Sequence, residues 1–421
     1  MTNETTTQEN EVARPSKKAS WTGSLSKLPP ARRWFTYALL VLLGFSLGCS
    51  EFVVIGIEPE LAEAFDCSLS QVGDLISFFA LAYAIATPLL AIFTSQFRRS
   101  RLFTIYLIIF VICNLASMTA SAFGVLLVSR VIMGAVSGAL LAVATTYIPE
   151  LLGPRHSSMG ISVIYAAFSI ALVLATSVGR FIVEYFTWHF AMEGAFVFAL
   201  ISAILLVIAI PKSPQTKSAQ TSPRKQVKLL GEPALLFGVG IFMFGVGAVY
   251  TFYGYVAPYL ETVLGLTTVE SGLVLLVFGC ICFVSDLLSG LFDLRFGMKS
   301  LPSIFAGMAI ALFALWTAGP QASFAIGAIF LIALLMYSFS IQCISMFMDI
   351  ARRKHPDAMV LAASIEPTSF NIGIAFGTAI GGVVVSSIGL SMVGLVGATL
   401  ALCALGCSLA AVFFWKRSKQ T

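Results

Sequence analysis

Long apolar runs, separated by short polar connections, follow one another along nearly the whole chain after residue 33. Runs of about 20 residues with few charges are long enough to cross the hydrocarbon core of a bilayer as helices. Because backbone N–H and C=O groups find no water inside a bilayer, each helix must satisfy these groups with its own hydrogen bonds. The sequence therefore predicts an all-α membrane protein.

The runs number twelve, and a polar segment divides them into two sets of six. They cover residues 34–57, 71–95, 101–121, 124–151, 158–183, 188–211, 234–260, 270–293, 299–319, 322–349, 359–386 and 391–415. Two divisions between runs are very short, near Ala122 and at Gly319-Pro320. We expect six-helix bundles at 34–211 and 234–415, a cytoplasmic linker at 212–233, a disordered cytoplasmic tail at 1–33 and a short tail at 416–421.

The composition leaves no room for a sizeable soluble domain. The 421 residues are 58% apolar and 11% charged, whereas a soluble domain is about half apolar and a quarter charged. The net charge of +5 is spread over short clusters between the apolar runs, so nucleic acid is not an expected partner. Seven of the eight cysteines lie inside apolar runs and are interpreted as small packing residues.

Lys and Arg accumulate in alternate loops and in both tails. The clusters are Lys17/Lys18/Lys27/Arg32/Arg33, Arg98/Arg99/Arg101, Arg155, Lys212 through Lys228, Arg295/Lys299, Arg352/Arg353/Lys354 and Lys416/Arg417/Lys419. The intervening loops carry acidic residues instead. Since basic loops stay in the cytoplasm, both termini are predicted to be cytoplasmic, with an even number of spans in the inner membrane of a bacterium.

Four segments resemble one branch of a known transporter superfamily. They are GCSEFVVIGIEP at 48–59, RVIMG at 130–134, YGYVAPYL at 253–260 and FNIGIAFGTAIGG at 370–382. They are similar to landmarks of the sugar-efflux and arabinose-efflux-like branch of the drug/proton antiporters, in the major facilitator superfamily. That branch includes purine-exporting and chloramphenicol-resistance members.

The resemblance implies twelve helices arranged as two pseudo-symmetric six-helix bundles, which move a solute by alternating access. It also implies energy from a proton gradient and no other cofactor. Two motifs of the family depart from the usual pattern. AIFTSQFRR at 91–99 lacks the Asp of the loop after span two, and residues 169–179 of span five lack the Gly-Pro that is associated with antiport.

Glu51 and Arg130 are the first candidates for proton coupling. Each lies about six residues, or roughly 9 Å, below the predicted outer boundary, on spans one and four of the same half. A charge at this depth is costly and is a functional candidate by default. The functional interpretation is that Glu51 is protonated or paired with Arg130 according to which side is open; the alternative is a permanent ion pair between the spans. In related transporters this acid and this arginine are associated with coupling.

Asp286 and Glu366 form a second acidic pair, in the inner halves of spans eight and eleven. Two carboxyls in one water-filled cavity would favour a bound proton or an organic cation. Either could instead be a protonated packing residue. Pro367 follows Glu366 directly, and a proline inside a span frees a backbone carbonyl near the depth where transporters bind substrates.

Aromatic and amide side chains supply further candidates for substrate binding. Tyr250 and Tyr253 in span seven could line a pocket, since aromatic walls with polar tips suit ring-bearing solutes. Asn371 in span eleven is either a pocket residue or an interhelical hydrogen-bonding residue. Tyr255 and Tyr259 fit an interfacial aromatic belt.

Three charged residues near the outer boundary are predicted to have no direct role in transport. Asp74 and Glu193 are expected to face water, and Arg180 is expected to snorkel or to pair with Glu184. Glycines four residues apart, at 134 and 138 in span four and at 373, 377 and 381 in span eleven, predict smooth faces for close helix packing.

The sequence contains no Gly-x-x-x-x-Gly-Lys-Ser/Thr loop and no catalytic motif, and its three histidines stand far apart. We therefore expect a monomeric transporter and not an enzyme, with no metal site. It would export a small organic solute such as a drug, sugar, nucleobase, nucleoside or amine in exchange for protons. An uptake symporter or uniporter on the same fold is the alternative, and a membrane-embedded enzyme or scaffold is a remote one.

Overall fold

The computed structural model describes residues 29–93, 97–153, 156–210, 228–355 and 358–418. Throughout these ranges the chain forms helices joined by short turns, and they contain no strand. Most of the predicted N-terminal tail and most of the predicted linker lie outside the described residues.

Twelve long helices cross the molecule. Spans one to six are Pro30–Gly56, Leu69–Phe93, Arg99–Met118, Phe123–Thr145, Ser157–Tyr185 and Trp188–Ala209. Spans seven to nine are Pro233–Tyr253, Thr268–Phe296 and Leu301–Ala318; span ten is Ala322–Met336 plus Ser340–Lys354; spans eleven and twelve are Met359–Ser387 and Val393–Ser418.

The predicted number of spans is confirmed. Within the described ranges, eleven stretches are long and apolar enough to cross a membrane, and the longest, Thr268–Ala318, contains two helices. These are spans eight and nine, which meet at a 3-10 turn, Gly297–Ser300. At the first short division, span three ends at Met118 and extended backbone at Ala122 precedes span four. At the second, the positive φ of Gly319 ends span nine.

Helix ends differ from the predicted ones where the backbone breaks inside an apolar run. Span one begins at Pro30, inside the predicted tail, because proline is well suited to the first position of a helix. Spans one, four and seven are each followed by a separate short helix or turn. These are Glu58–Ala64, Ile148–Leu152, and Val256–Pro258 with the π-helical turn Tyr259–Val263.

The two halves of the chain repeat one packing plan. In the first half, span one packs on spans five and six, span two on four, and span three on four and six. In the second half, span seven packs on eleven and twelve, eight on ten, and nine on ten and twelve. Each of these contacts in the first half has its counterpart six spans later, so the halves are pseudo-symmetric bundles.

The halves meet along two seams, span two against span eleven and span five against span eight. Since these are the pairs that exchange under the repeat, the seams lie on either side of the pseudo-symmetry axis. Both described ends of the chain lie at one end of the bundle, here called the terminal end, and the other is called the opposite end. The distribution of Lys and Arg among the loops predicts that the opposite end faces outward.

The outside of the bundle is apolar, as a lipid-facing surface requires. Large apolar side chains stand exposed along several spans, among them Ile85, Ile108, Ile204 and Phe413. All eight cysteines are free. Cys280 and Cys403 are exposed, so the interpretation of every intramembrane cysteine as a packing residue is wrong for these two.

Candidate functional site

Arg130 of span four binds the backbone of span one rather than the Glu51 carboxylate. Its guanidinium donates to the carbonyl of Ser50 and to the carbonyl of Glu51, the latter at 2.8 Å. The side chain is 1% exposed and lies over the Phe79 ring, with Cζ 4.5 Å from the ring centroid. Arg130 thus fixes the section of span one that carries the acid.

The Glu51 carboxyl is buried beside this cation without being paired to it. It is 5% exposed, its Oε2 has no hydrogen-bond partner, and within the described residues it makes no ion pair of 4.0 Å or less. The two charges still interact electrostatically. The permanent ion pair is therefore not present in this conformation, and Glu51 is free to exchange a proton or a partner.

Close packing of spans two, three and four places both residues. The Ser50 hydroxyl donates to Asn114 Oδ1 of span three at 2.8 Å. A β-carbon on Gly134 would collide with the Phe79 carbonyl, and one on Gly138 would collide with Thr87. The smooth face predicted for span four is thus confirmed, and it brings span two close enough for Phe79 to contact Arg130.

Tyr83 of span two lies within electrostatic range of acids from both halves, and the sequence did not single it out. It is 4% exposed and close enough to both Glu51 and Glu366 for their charges to act on it. Its chain neighbours are apolar or small, so nothing in the sequence marks it. The structure thereby connects two predicted acids that lie on different bundles.

Asp286 and Glu366 lie close enough for their charges to interact. Both side chains are partly exposed. Tyr165 of span five, in the other half, is 39% exposed and also interacts with Glu366. A side chain that is exposed while facing the opposite bundle marks a gap between the bundles, here on the terminal side of the midplane.

Asn371 forms a hydrogen bond within its own helix and, in the described part of the chain, not to a neighbouring helix. Its amide nitrogen donates at 3.1 Å to the Pro367 carbonyl of the same helix, and its Oδ1 has no partner. The interhelical hydrogen bond is therefore absent among the described residues. Asn371 is 6% exposed and offers one free acceptor, one helical turn from the proline.

Aromatic side chains wall the region above the acids. Tyr250 and Tyr253 are 0% and 1% exposed, with ring centroids 5.5 Å apart, and the Tyr250 hydroxyl has no hydrogen-bond partner. Tyr253 stacks on Phe278 of span eight at 4.8 Å. Tyr250 is close enough to Glu51 to interact with its charge. Tyr250, on the second half, therefore lies near the proton candidate of the first half.

A break in span ten contributes to the same wall, and it was not predicted. Tyr337 lies in the break and stacks on Phe370 of span eleven at 5.6 Å, with nearly parallel rings. The backbone N–H groups of Tyr337 and Ile341 donate to the hydroxyls of Ser285 and Ser289 of span eight, at 3.0 and 2.9 Å. Discontinuous helices near the midplane are the usual place for a transporter's substrate site.

The prediction of an interfacial belt at Tyr255 and Tyr259 is wrong. Both are 1% exposed. The Tyr255 hydroxyl donates to the Thr378 carbonyl of span eleven at 3.0 Å, and that of Tyr259 to the Leu315 carbonyl of span nine at 3.5 Å. These rings turn inward because the chain after span seven bends back over the bundle instead of leaving it.

The prediction for Arg180 is also wrong. It is fully buried at the opposite end, where it donates to both carboxylate oxygens of Glu60 at 2.8 Å and to Glu261 of the other half. Asp74 is partly exposed and Glu193 is exposed, in line with the water-facing role expected of Glu193. The ion pair between halves, with the close approach of Gly73 to Tyr255, closes the opposite end.

Among the residues that the structure describes, no group of three or more His, Cys, Asp or Glu side chains could hold a metal ion.

The comparison with known families decides the identity of this fold. The model of the Major Facilitator Superfamily matches residues 40–365. The chain belongs to the major facilitator superfamily.

Known major facilitator proteins resemble the whole chain. It is 28% identical over 352 residues to the uncharacterized MFS-type transporter YtbD of Bacillus subtilis (strain 168), which covers 83% of this chain and 88% of that protein. The crystal structure of a D-xylose–proton symporter matches with a TM-score of 0.70 and 20% identity, over 91% of this chain and 97% of the other. That of the nucleoside transporter NupG matches with a TM-score of 0.71 and 16% identity, over 90% and 99%.

Membership explains the repeated packing and the two seams, since major facilitator transporters are built from two six-span halves. Transport of small solutes is the function that these matches support. At identities of this level the solved structures show the fold alone. The cargo, the direction of transport and any coupling to protons must therefore be inferred from the geometry of the site.

Proposed function

We propose that this chain is a proton-coupled secondary transporter that exports a small organic solute by alternating access in the inner membrane of a bacterium. The observation that carries the proposal is the buried, unpaired Glu51 carboxyl beside Arg130. An ionised carboxylate without a partner is costly in such a place, whereas a protonated one is tolerated. Glu51 therefore holds a proton in the present conformation and loses it when its surroundings change.

The second carboxyl pair provides the cargo site. Asp286 and Glu366 are partly exposed in the terminal halves of their spans, and Tyr250, Tyr253 and Tyr337 lie further toward the opposite end. Carboxyls below aromatic rings favour a solute with a cationic or amine-bearing end and an apolar or ring-bearing body. Asn371 adds a hydrogen-bond acceptor at the same depth. Sugars, nucleobases, nucleosides and drugs of the chloramphenicol type remain candidates on the resemblance.

Tyr83 is the element through which the two sites communicate. It interacts with both Glu51 and Glu366, so a cation bound at Glu366 changes the field at Glu51 through one intervening side chain. Cargo arriving as a cation favours the ionised form of the acids and drives release of the proton. This is the order of events that an antiporter requires.

The proposal is tested by proton release from purified protein in weak buffer while a panel of compounds is added. We expect cargo-induced release in wild type, its loss in Glu51→Gln with cargo binding retained, and weakened binding in Glu366→Gln. Glu193→Gln, an exposed acid at the opposite end, is the matched control and should behave as wild type. Binding without release in wild type would rule out coupling.

Uptake by a symporter or uniporter is the second candidate, and one observation favours it. Span five lacks the Gly-Pro that accompanies antiport in this family, at residues 169–179. Accumulation of labelled cargo in whole cells, with and without an uncoupler, separates the candidates. An exporter accumulates less cargo in energised cells, and a symporter accumulates more. Sealed liposomes in which purified protein moves no candidate solute would favour the remote alternative, an enzyme or scaffold.

The remaining assignments belong to the same proposal. The chain works as a monomer in the lipid bilayer, with both termini in the cytoplasm, and its partners are the solute and protons. It needs no cofactor and binds no nucleic acid.

A further inference from the structure

A second buried carboxyl lies at the opposite end, far along span one from the cleft. Glu58 is the first residue of the short helix Glu58–Ala64, just beyond Gly56 where span one ends. Its side chain is 0% exposed, and neither carboxylate oxygen has a hydrogen-bond partner. A buried carboxylate without partners is destabilising, because it has lost its hydration and no protein hydrogen bond replaces it.

The cation nearest to Glu58 is already engaged. Arg180 donates to both oxygens of Glu60 at 2.8 Å, to Glu261 and to the Gly56 carbonyl at 3.2 Å. The Arg180 charge reaches Glu58, but no hydrogen bond joins them. Three carboxyls therefore surround one guanidinium, and two of them hold it.

Burial raises the pKa of Glu58 well above its usual range; the Arg180 charge opposes that rise, and the Glu60 charge adds to it. Groups that face it come from span five, from its own short helix and from the end of span seven. They are Arg180, Glu60, Tyr253, Tyr255 and, across Arg180, Glu261, with Asp74 of span two beyond Tyr255. Arg180 is the only cation in this set.

We infer that Glu58 is a second proton-binding site, which holds a proton while the opposite end is closed and releases it when that end opens. Opening separates Glu261, on the second half, from Arg180, on the first. The freed guanidinium then turns to Glu58, which lies on its own half. The O–H bond of the carboxylic acid breaks, the proton passes to water, and the carboxylate remains paired with Arg180.

This inference rests on the proposed function only where it assigns the proton to a transport cycle; proton binding itself does not depend on cargo or on Glu51. The effect of pH on the equilibrium between closed and open forms follows from the linkage between proton binding and conformation. Since the closed form binds the proton more tightly, closure is favoured at low pH and is lost as pH rises through the closed-form pKa of Glu58.

The test measures opening directly, by the distance between labels on Ala64 and Gln321. Both are exposed at the opposite end, one on each half. The labels are attached through encoded non-natural amino acids, so the native cysteines stay in place. In wild type without cargo, the ratio of open to closed molecules should rise with pH, by up to about tenfold per pH unit.

Glu58→Gln copies the protonated acid and should stay closed with no dependence on pH in this range. Glu63→Gln, on the same short helix but exposed, is the matched control and should keep the wild-type slope. Equal slopes in the two variants would overturn the inference.

A second variant keeps Glu58 and removes its competitor. In Glu261→Gln, Arg180 is freer to pair with Glu58, so the midpoint of opening should move to lower pH while the slope remains. Loss of the slope in this variant would mean that the ion pair is a plain mechanical lock, and would also overturn the inference. Failure of the proposed function shows up separately, as cargo binding without proton release.

Discussion

At the scale of single residues, Arg130 shows how a buried cation can bind backbone carbonyls instead of a carboxylate. Its two donors occupy the carbonyls of Ser50 and Glu51, so the cation neutralises the region around Glu51 without forming an ion pair. The planar guanidinium can reach both carbonyls at once, which a single ammonium group cannot do in the same geometry. The arginine is therefore a structural clamp and an electrostatic neighbour together.

Arg130→Lys should destabilise the protein while preserving the charge. One carbonyl of span one would be left without its donor inside the membrane, at a cost of about 1–3 kcal/mol. The melting temperature of the purified variant measures the loss, and Arg101→Lys, at an exposed position, is the control that should melt as wild type. Equal melting temperatures would contradict the clamp.

The acids of the cleft could be predicted from sequence because a charge inside an apolar run stands out. Glu51, Asp286 and Glu366 were found in that way, and their neighbours were not. Tyr83 is an ordinary residue of an apolar helix, and its importance comes from its position between two bundles. Glu58 was assigned to a loop, because only the folded chain shows that its side chain turns inward.

At the scale of elements, span eleven packs on span seven through glycines. A β-carbon on Gly377 would collide with the backbone of Gly247, and one on Gly373 would lie 2.5 Å from the Phe242 carbonyl. The predicted smooth face is confirmed, and it brings Phe370 and Asn371 close to span seven.

Gly377→Ala should separate these helices and destabilise the protein by about 1–3 kcal/mol, since backbone atoms cannot move aside as a flexible side chain can. Gly406→Ala in span twelve is the control, because nothing lies within 4 Å of its added β-carbon. It should be neutral or stabilising by up to about 1 kcal/mol, as alanine is the better helix former. Thermal unfolding in detergent compares them, and equal effects would refute this account.

The break in span ten depends on two serines of span eight. Ser285 and Ser289 accept hydrogen bonds from the N–H groups of Tyr337, at the end of the first segment, and of Ile341, in the first turn of the second. The double variant Ser285→Ala/Ser289→Ala should loosen Tyr337 and weaken cargo binding about five- to tenfold, equivalent to one net hydrogen bond of about 1–1.5 kcal/mol. Ser408→Ala is the control, because its hydroxyl bonds only within its own helix. Unchanged affinity in the double variant would remove the break from the site.

Most helices could be located from hydropathy alone, and the break in span ten could not. The apolar run of span ten continues through residues 337–339 without a Gly or Pro, so its break leaves no mark in the pattern. The break is set by tertiary contacts, such as the serines of span eight, that sequence periodicity does not contain.

At the scale of the whole molecule, the closed opposite end can be tested by a disulfide. A β-carbon on Gly382 of span eleven would lie 2.8 Å from the hydroxyl of Ser70 in span two, close enough for a disulfide between cysteines at both positions. Ser70→Cys/Gly382→Cys should lose transport on oxidation and recover it on reduction. Gly382→Cys alone controls for pairing with native Cys67. Transport that survives complete cross-linking would show that this end need not open.

The two seams also set the scale of movement available to the halves. Spans five, eight and eleven each contain 29 residues, so each is a rod of roughly 43 Å with a half-length of about 22 Å. If each half tilts by on the order of 10° about the seams, the ends of facing rods part by about 8 Å, as in rigid-body rocking. This separation is larger than the distance over which Arg180 and Glu261 can stay hydrogen-bonded, and no helical turn has to unwind to reach it. A small rotation at the centre is therefore sufficient to expose the far end to water.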